Sequence, residues 1–113
     1  MRVTLPSKTE IYVLTLPYFL ATKLEAYSDR GQNDPRTSRD IEDVVSVLDG
    51  HLEIEKTLSA IEGELATYLK KEFQKLSKDE YFSDALRAHL PYGPDREMRA
   101  NRLSNILNTF ITN

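Results

Sequence analysis

Apolar positions along the chain follow two different rhythms. Arg2 to Leu5 and Ile11 to Leu14 are short β-prone runs, interrupted by Pro6 and ended before Pro17, and they predict two short strands with a tight connection. A lone hairpin is marginal in water, so its open edges call for further strands or a covering helix on the N-terminal side. After Pro17 the period becomes helical. The first helix is expected from Tyr18 to about Ser28, before the polar, breaker-rich stretch Asp29 to Thr37. Thr37 or Ser38 then caps a second helix in which Ile41, Val44, Val45 and Leu48 share one face, and Asp49-Gly50 closes it.

A third, long helix is expected from about Glu53 to Leu76, with Ile54, Leu58, Ile61, Leu65, Tyr68, Leu69, Phe73 and Leu76 in one stripe. Ser77 and Glu80 fit a capping box for a fourth helix, whose inner side carries Tyr81, Phe82, Ala85, Leu86 and Leu90 and which the Pro91 to Pro94 stretch must break. A last helix, about Asp95 to Thr112, presents Leu103, Ile106, Leu107 and Phe110, with Arg99 and Arg102 extending that stripe. The pattern predicts a mainly α protein, a small bundle of about five helices preceded by one or two short β-strands. Residues 1–113 form a single domain on this reading, with residues 1–16 as the β element and residues 17–113 as the bundle.

Composition narrows the function classes. The 40% hydrophobic content suits one modest core, and 18 acids against 15 bases give a formal charge of −3, without general attraction for nucleic acid or anionic membrane. Absence of cysteine excludes disulfides, zinc-thiolate sites and thiol nucleophiles. No signal-like apolar run opens the chain and no stretch approaches a membrane span, so a cytoplasmic protein is the expectation. His51 and His89 lack partners at metal-ligand spacing, and neither follows an arginine by five residues, a spacing often used by helical ribonucleases of bacterial defence systems. No metal site is expected.

One charged position breaks the apolar pattern. Phe19, Leu20, Lys23, Leu24 and Tyr27 fall in one arc of the first helix with Lys23 near its middle, so that lysine must either snorkel to water or meet an anion. Arg30, seven residues on, lies on the same side. The next helix offers Asp40 and Asp43. Antiparallel packing of the two helices leads to the expectation that Lys23 meets Asp40 and that Arg39 pairs with Asp43 at i, i+4. Spacing leaves two readings open: a structural ion pair at a helix interface, or a phosphate-binding cleft in which Lys23 and Arg30 are cations and Asp40 or Asp43 orients the lysine or acts as a base. Arg99 and Arg102 either add charge to that cleft or hold an acceptor nucleic acid, or else cover the bundle end with their aliphatic stems.

The stretch LPYFLATKLEAYSDRG followed by SRDIEDVVSVLDG resembles the C-terminal half of the AbiEii-type nucleotidyltransferases, toxin-like enzymes of bacterial abortive-infection and toxin–antitoxin systems. The resemblance is strongest from Leu16 to Gly50, and it carries a lysine, an arginine and an Arg-Asp-x-x-Asp motif beginning at Arg39. It implies that Lys23, Arg30 and Arg39 lie beside the nucleotide and that Asp40 and Asp43 take the catalytic positions. It also implies magnesium-dependent transfer of a nucleotidyl group from an NTP to an acceptor such as tRNA or protein, and an antitoxin partner. The family's Gly-Ser loop and Asp-x-Asp pair have no match: the four glycines are followed by Gln, His, Glu and Pro, and no two aspartates are separated by one residue. Two-metal chemistry needs those carboxylates, so the expectation is a segment without cofactor of its own, inactive alone and completed by a catalytic half or separate subunit that brings Mg and NTP. The alternative is a stand-alone helical interaction module, docking or self-associating through exposed strand edges.

Overall fold

Leu16, Leu20 and Leu24 recur every four residues, and a helix that lines them up buries all three. That helix is α1, Lys8–Asp29, and it carries Pro17 in its interior. The computed structural model describes the backbone of residues 8–30 and 34–113 and the side chains of residues 16–30 and 34–113. Within those bounds the chain forms α1, α2 (Arg39–Gly50), α3 (Ile54–Ser59), α4 (Gly63–Ser77), α5 (Phe82–His89) and α6 (Arg96–Thr112), and no strand is present.

The expected second strand is therefore corrected: Ile11 to Leu14 lie inside α1, while Arg2 to Leu5 lie outside the described residues. A helix satisfies its own backbone groups, whereas a strand run without a partner would leave them open. Pro17 lacks the N–H that would bond Val13, which weakens the helix locally without ending it, and the buried Leu16 and Leu20 anchor both sides. Self-association through the edge of that second strand loses its basis with it.

α2 follows the sequence pattern closely. The Ser38 hydroxyl accepts a bond from the Ile41 N–H at 3.2 Å, Asp40 and Glu42 sit in the first turn where the helix dipole favours acids, and Ile41, Val44, Val45 and Leu48 are all buried. The expected long third helix is two helices. Gly63 adopts φ +70°, a left-handed conformation that other residues reach only with strain, and the chain breaks between Ser59 and Gly63. Both pieces keep their apolar faces inward: Ile54 and Leu58 from α3, Leu69, Phe73 and Leu76 from α4.

The expected capping box is also corrected. Ser77 is the last residue of α4 and its hydroxyl donates to the Gln74 carbonyl at 2.9 Å, while the Asp79 carboxylate accepts from the Tyr81 N–H at 2.8 Å just before α5. Buried Leu76 draws α4 through that point, so the turn-forming task passes to Asp79. Around the core, α1 packs on α2 and α4, and α6 packs on α4 and α5 while touching α2 and α3. Phe73 and Phe110 meet edge to face with centroids 6.2 Å apart, locking α4 to α6. No helix is long and apolar enough to cross a membrane among the described residues.

Candidate functional site

Phe19, Lys23 and Arg30 lie within about 40° of one another on the helical wheel, on the flank of α1 beside its leucine stripe. That flank faces α2. Lys23 Nζ lies 2.7 Å from Asp43 Oδ2, and Arg30 Nε donates to Asp40 Oδ2 at 2.9 Å. The two pairs run in opposite chain senses along the two helices, as antiparallel packing requires.

The expected pairing is thus exchanged: Lys23 meets Asp43, Asp40 meets Arg30, and Arg39 makes no ion pair with Asp43 among the described residues. Axial rise supplies the reason. Arg30 stands just past the end of α1, opposite the first turn of α2, and its N–H still bonds the Ala26 carbonyl at 3.2 Å. Lys23 lies roughly 10 Å back along α1 from that level, and Asp43 is about 4.5 Å further along α2 than Asp40, hence the carboxylate within reach.

The members of the cluster differ in exposure. Asp40 is 7% exposed, whereas its partner Arg30 has 65% of its side chain in solvent. A buried carboxylate held by a cation with a free outer edge is oriented without being sealed. Lys23 and Asp43 have 28% and 46% of their side chains exposed, and the Lys23 ammonium also lies 5.5 Å from the centre of the Phe19 ring. Arg39 is exposed at the start of α2. Each of the two carboxylates is met by one cation, and Arg39 stands beside them without an ion pair among the described residues.

Sequence reading missed what holds the connection between the two helices in place. The Arg36 guanidinium stacks 4.0 Å over the Tyr81 ring, and it also bonds the Asp34 carboxylate, which is held below the usual carboxylate range by those hydrogen bonds. His89 Nε2–H donates to the Pro35 carbonyl at 2.9 Å, and Pro35 itself is buried. The segment before Ser38 is thereby pinned to α5 and sets the position of Arg39 and Asp40. Periodicity carries no signal for the Arg36–Tyr81 and His89–Pro35 contacts, because each joins residues far apart in the chain.

Arg99 and Arg102 do not join the cluster. The Arg99 guanidinium grips the Asp49 carboxylate, with Nε to Oδ1 at 3.2 Å and Nη2 to Oδ2, and the hydrogen bonds raise its pKa further. Asp49 is nine residues beyond Asp40 and so about half a turn around α2, on the side away from α1. Arg102 is half-buried and makes no ion pair among the described residues.

Two further observations bound the chemistry. A cavity of about 110 Å³ between α3, α4 and α6 is lined by Leu58, Ile61, Ile106 and Phe110, so the cluster is an open surface and not that cavity. Its carboxylates also do not fit a magnesium ion: each faces a cation, and among the described residues no group of three or more His, Cys, Asp or Glu converges as ligands.

Neither a curated protein nor a solved structure matches the chain. One family does, described as "Nucleotidyl transferase AbiEii toxin, Type IV TA system", and the match spans residues 2–109, well beyond the Leu16 to Gly50 stretch. With nearly the whole of its length aligned to that family, the chain belongs to the AbiEii nucleotidyl transferases.

Proposed function

We propose that the α1–α2 surface is the phosphate-facing wall of an AbiEii-type nucleotidyl transfer site, completed by residues outside these 113. The observation that carries the reading is the convergence of Lys23, Arg30, Asp40 and Asp43 between two antiparallel helices, with Arg39 exposed beside them. Arg30 and Arg39 offer planar donors to phosphate oxygens, and Lys23 offers a point charge. Asp40 holds Arg30 in register. Asp43 is the more exposed carboxylate and the one open to an acceptor hydroxyl, so it takes the part of orienting group or base. Magnesium would be held by carboxylates other than Asp40 and Asp43, since each of those faces a cation. The family description as a toxin–antitoxin system supports an antitoxin as the regulatory partner.

The test is binding. Inorganic tripolyphosphate or ATP in magnesium buffer, titrated into the purified protein and followed by amide NMR shifts, is expected to perturb residues around Lys23, Arg30 and Arg39. The variants Lys23→Met and Arg30→Met each weaken the interaction by roughly tenfold, the scale of one charge-assisted hydrogen bond. Equal binding by both variants, or shifts confined to α3 and α6, would overturn the assignment.

A further inference from the structure

Phe19 is the aromatic neighbour of this cation row, and its environment is unlike that of the rest of the stripe. Leu16, Leu20 and Leu24 are at most 2% exposed, while Phe19 is 38% exposed. More than a third of the residue is thus left in water immediately beside a lysine, one turn along the same flank of α1. Tyr18 is more exposed still, but it projects about 100° away around the helix and so belongs to a different side. From Phe19 to Arg30 the flank runs about 16 Å along the axis, with Lys23 between them. Ring, ammonium and guanidinium therefore follow one another in a line.

We propose that Phe19 is the base platform of the nucleotide site: the nucleobase of a nucleoside triphosphate stacks on its ring while Lys23 and Arg30 hold the phosphates. The proposal rests on the phosphate reading of those two cations and adds what they cannot supply, a reason to prefer a nucleotide over bare polyphosphate. The Lys23 ammonium lies over the ring, 5.5 Å from its centre, so a base stacks on the surface that the lysine uncovers as it turns to phosphate and remains beside the first cation of the row. Stacking uses the π face that every base possesses and reads no base edge. All four nucleotides are accepted, the purines with their larger faces ahead of the pyrimidines.

Base–aromatic stacking contributes about 1–3 kcal/mol per base, which corresponds to a roughly 5- to 140-fold affinity ratio. ATP in magnesium buffer is expected to bind that much more tightly than tripolyphosphate, with upfield shifts of the Phe19 ring protons. Phe19→Leu brings the ratio of ATP to tripolyphosphate affinity close to one, and Phe19→Tyr preserves the ratio. Tripolyphosphate binding that depends on Lys23, with ATP no tighter, would overturn the base platform and leave the phosphate reading standing. Failure of both ligands to bind would overturn both. Because Phe19 is partly in water, Leu at this position does not threaten the fold, and the amide spectrum of the variant verifies that directly.

Discussion

Among the described residues, Lys23 of α1 and Arg30 just past its end each form an ion pair with α2, and the register of the two pairs can be measured without any ligand. Consider double-mutant cycles for Lys23→Met with Asp43→Asn, and for Lys23→Met with Asp40→Asn. Lys23 and Asp43 are both partly in water, where such pairs contribute about 0.2–1 kcal/mol. Lys23 and Asp40 are about two helical turns apart in level, so their coupling is expected to be close to zero. For Arg30 and Asp40 the weights are unequal. Removing Arg30 leaves a carboxylate that is 7% exposed without its donor, a loss of about 1–3 kcal/mol for a buried acceptor. Solvent around the open edge of Arg30 screens part of that, so Arg30→Met is expected to cost about 1–2 kcal/mol.

Urea unfolding followed by far-ultraviolet circular dichroism resolves such differences, given slopes of about 1–3 kcal/mol/M for domains of this size. The double replacement Arg30→Met with Asp40→Leu is expected to recover most of the single-mutant loss, because apolar side chains then fill a site that no longer holds a charge. Coupling of Lys23 to Asp40 that exceeds its coupling to Asp43 would refute the register, and with it the axial-rise argument. No coupling in either cycle would mean that the lysine serves solvent alone.

Gly63→Ala is expected to cost about 1–2 kcal/mol, since φ +70° is strained for alanine although no atom lies within 4 Å of its Cβ; an unchanged thermal melt would mean that α3 and α4 are one helix. Ser38→Ala removes the cap on Ile41 and is expected to cost about 1 kcal/mol in urea unfolding, with amide exchange rising in the first turn of α2. Glu97 is held below the usual carboxylate range by hydrogen bonds from Arg87. Its stabilising contribution is therefore present at neutral pH and is lost as pH falls through that depressed value; carboxyl carbon shifts should show the titration moving upward in Arg87→Met.

Legibility from sequence divides along a physical line. The face of each long helix was readable: Ile41, Val44, Val45 and Leu48, and likewise Leu103, Ile106, Leu107 and Phe110, are buried as their spacing demands. Helix existence was less so, because Ile11 to Leu14 are β-branched or aromatic enough to suggest a strand, and tertiary context overrides so short a run. The break at Gly63 was invisible to periodicity, since Ile54, Leu58, Ile61, Leu65 and Leu69 keep step across it; the glycine itself was the only sign. For the candidate site, sequence found the two helices and the four charged residues that meet. It exchanged their partners, because a wheel gives the face of a residue and says nothing of its level against another helix.

The ion pairs have a consequence for how a nucleotide would enter the proposed site. With Asp40 and Asp43 each engaged by a cation, the surface is close to neutral rather than strongly attractive, and a triphosphate must compete with two carboxylates that are already in place. The contest is uneven. Lys23 can swing on a flexible stem, yet any phosphate that draws it away leaves Asp43 half in water, where a free carboxylate is well hydrated. Arg30 need not leave Asp40 at all, since its Nε is occupied while most of the guanidinium remains in solvent with further donors to offer. Arg30 is, on the proposed reading, the fixed phosphate contact and Lys23 the mobile one. On the proposed reading, the release of Asp43 as Lys23 turns to phosphate frees the more exposed carboxylate at the moment when an acceptor hydroxyl needs it.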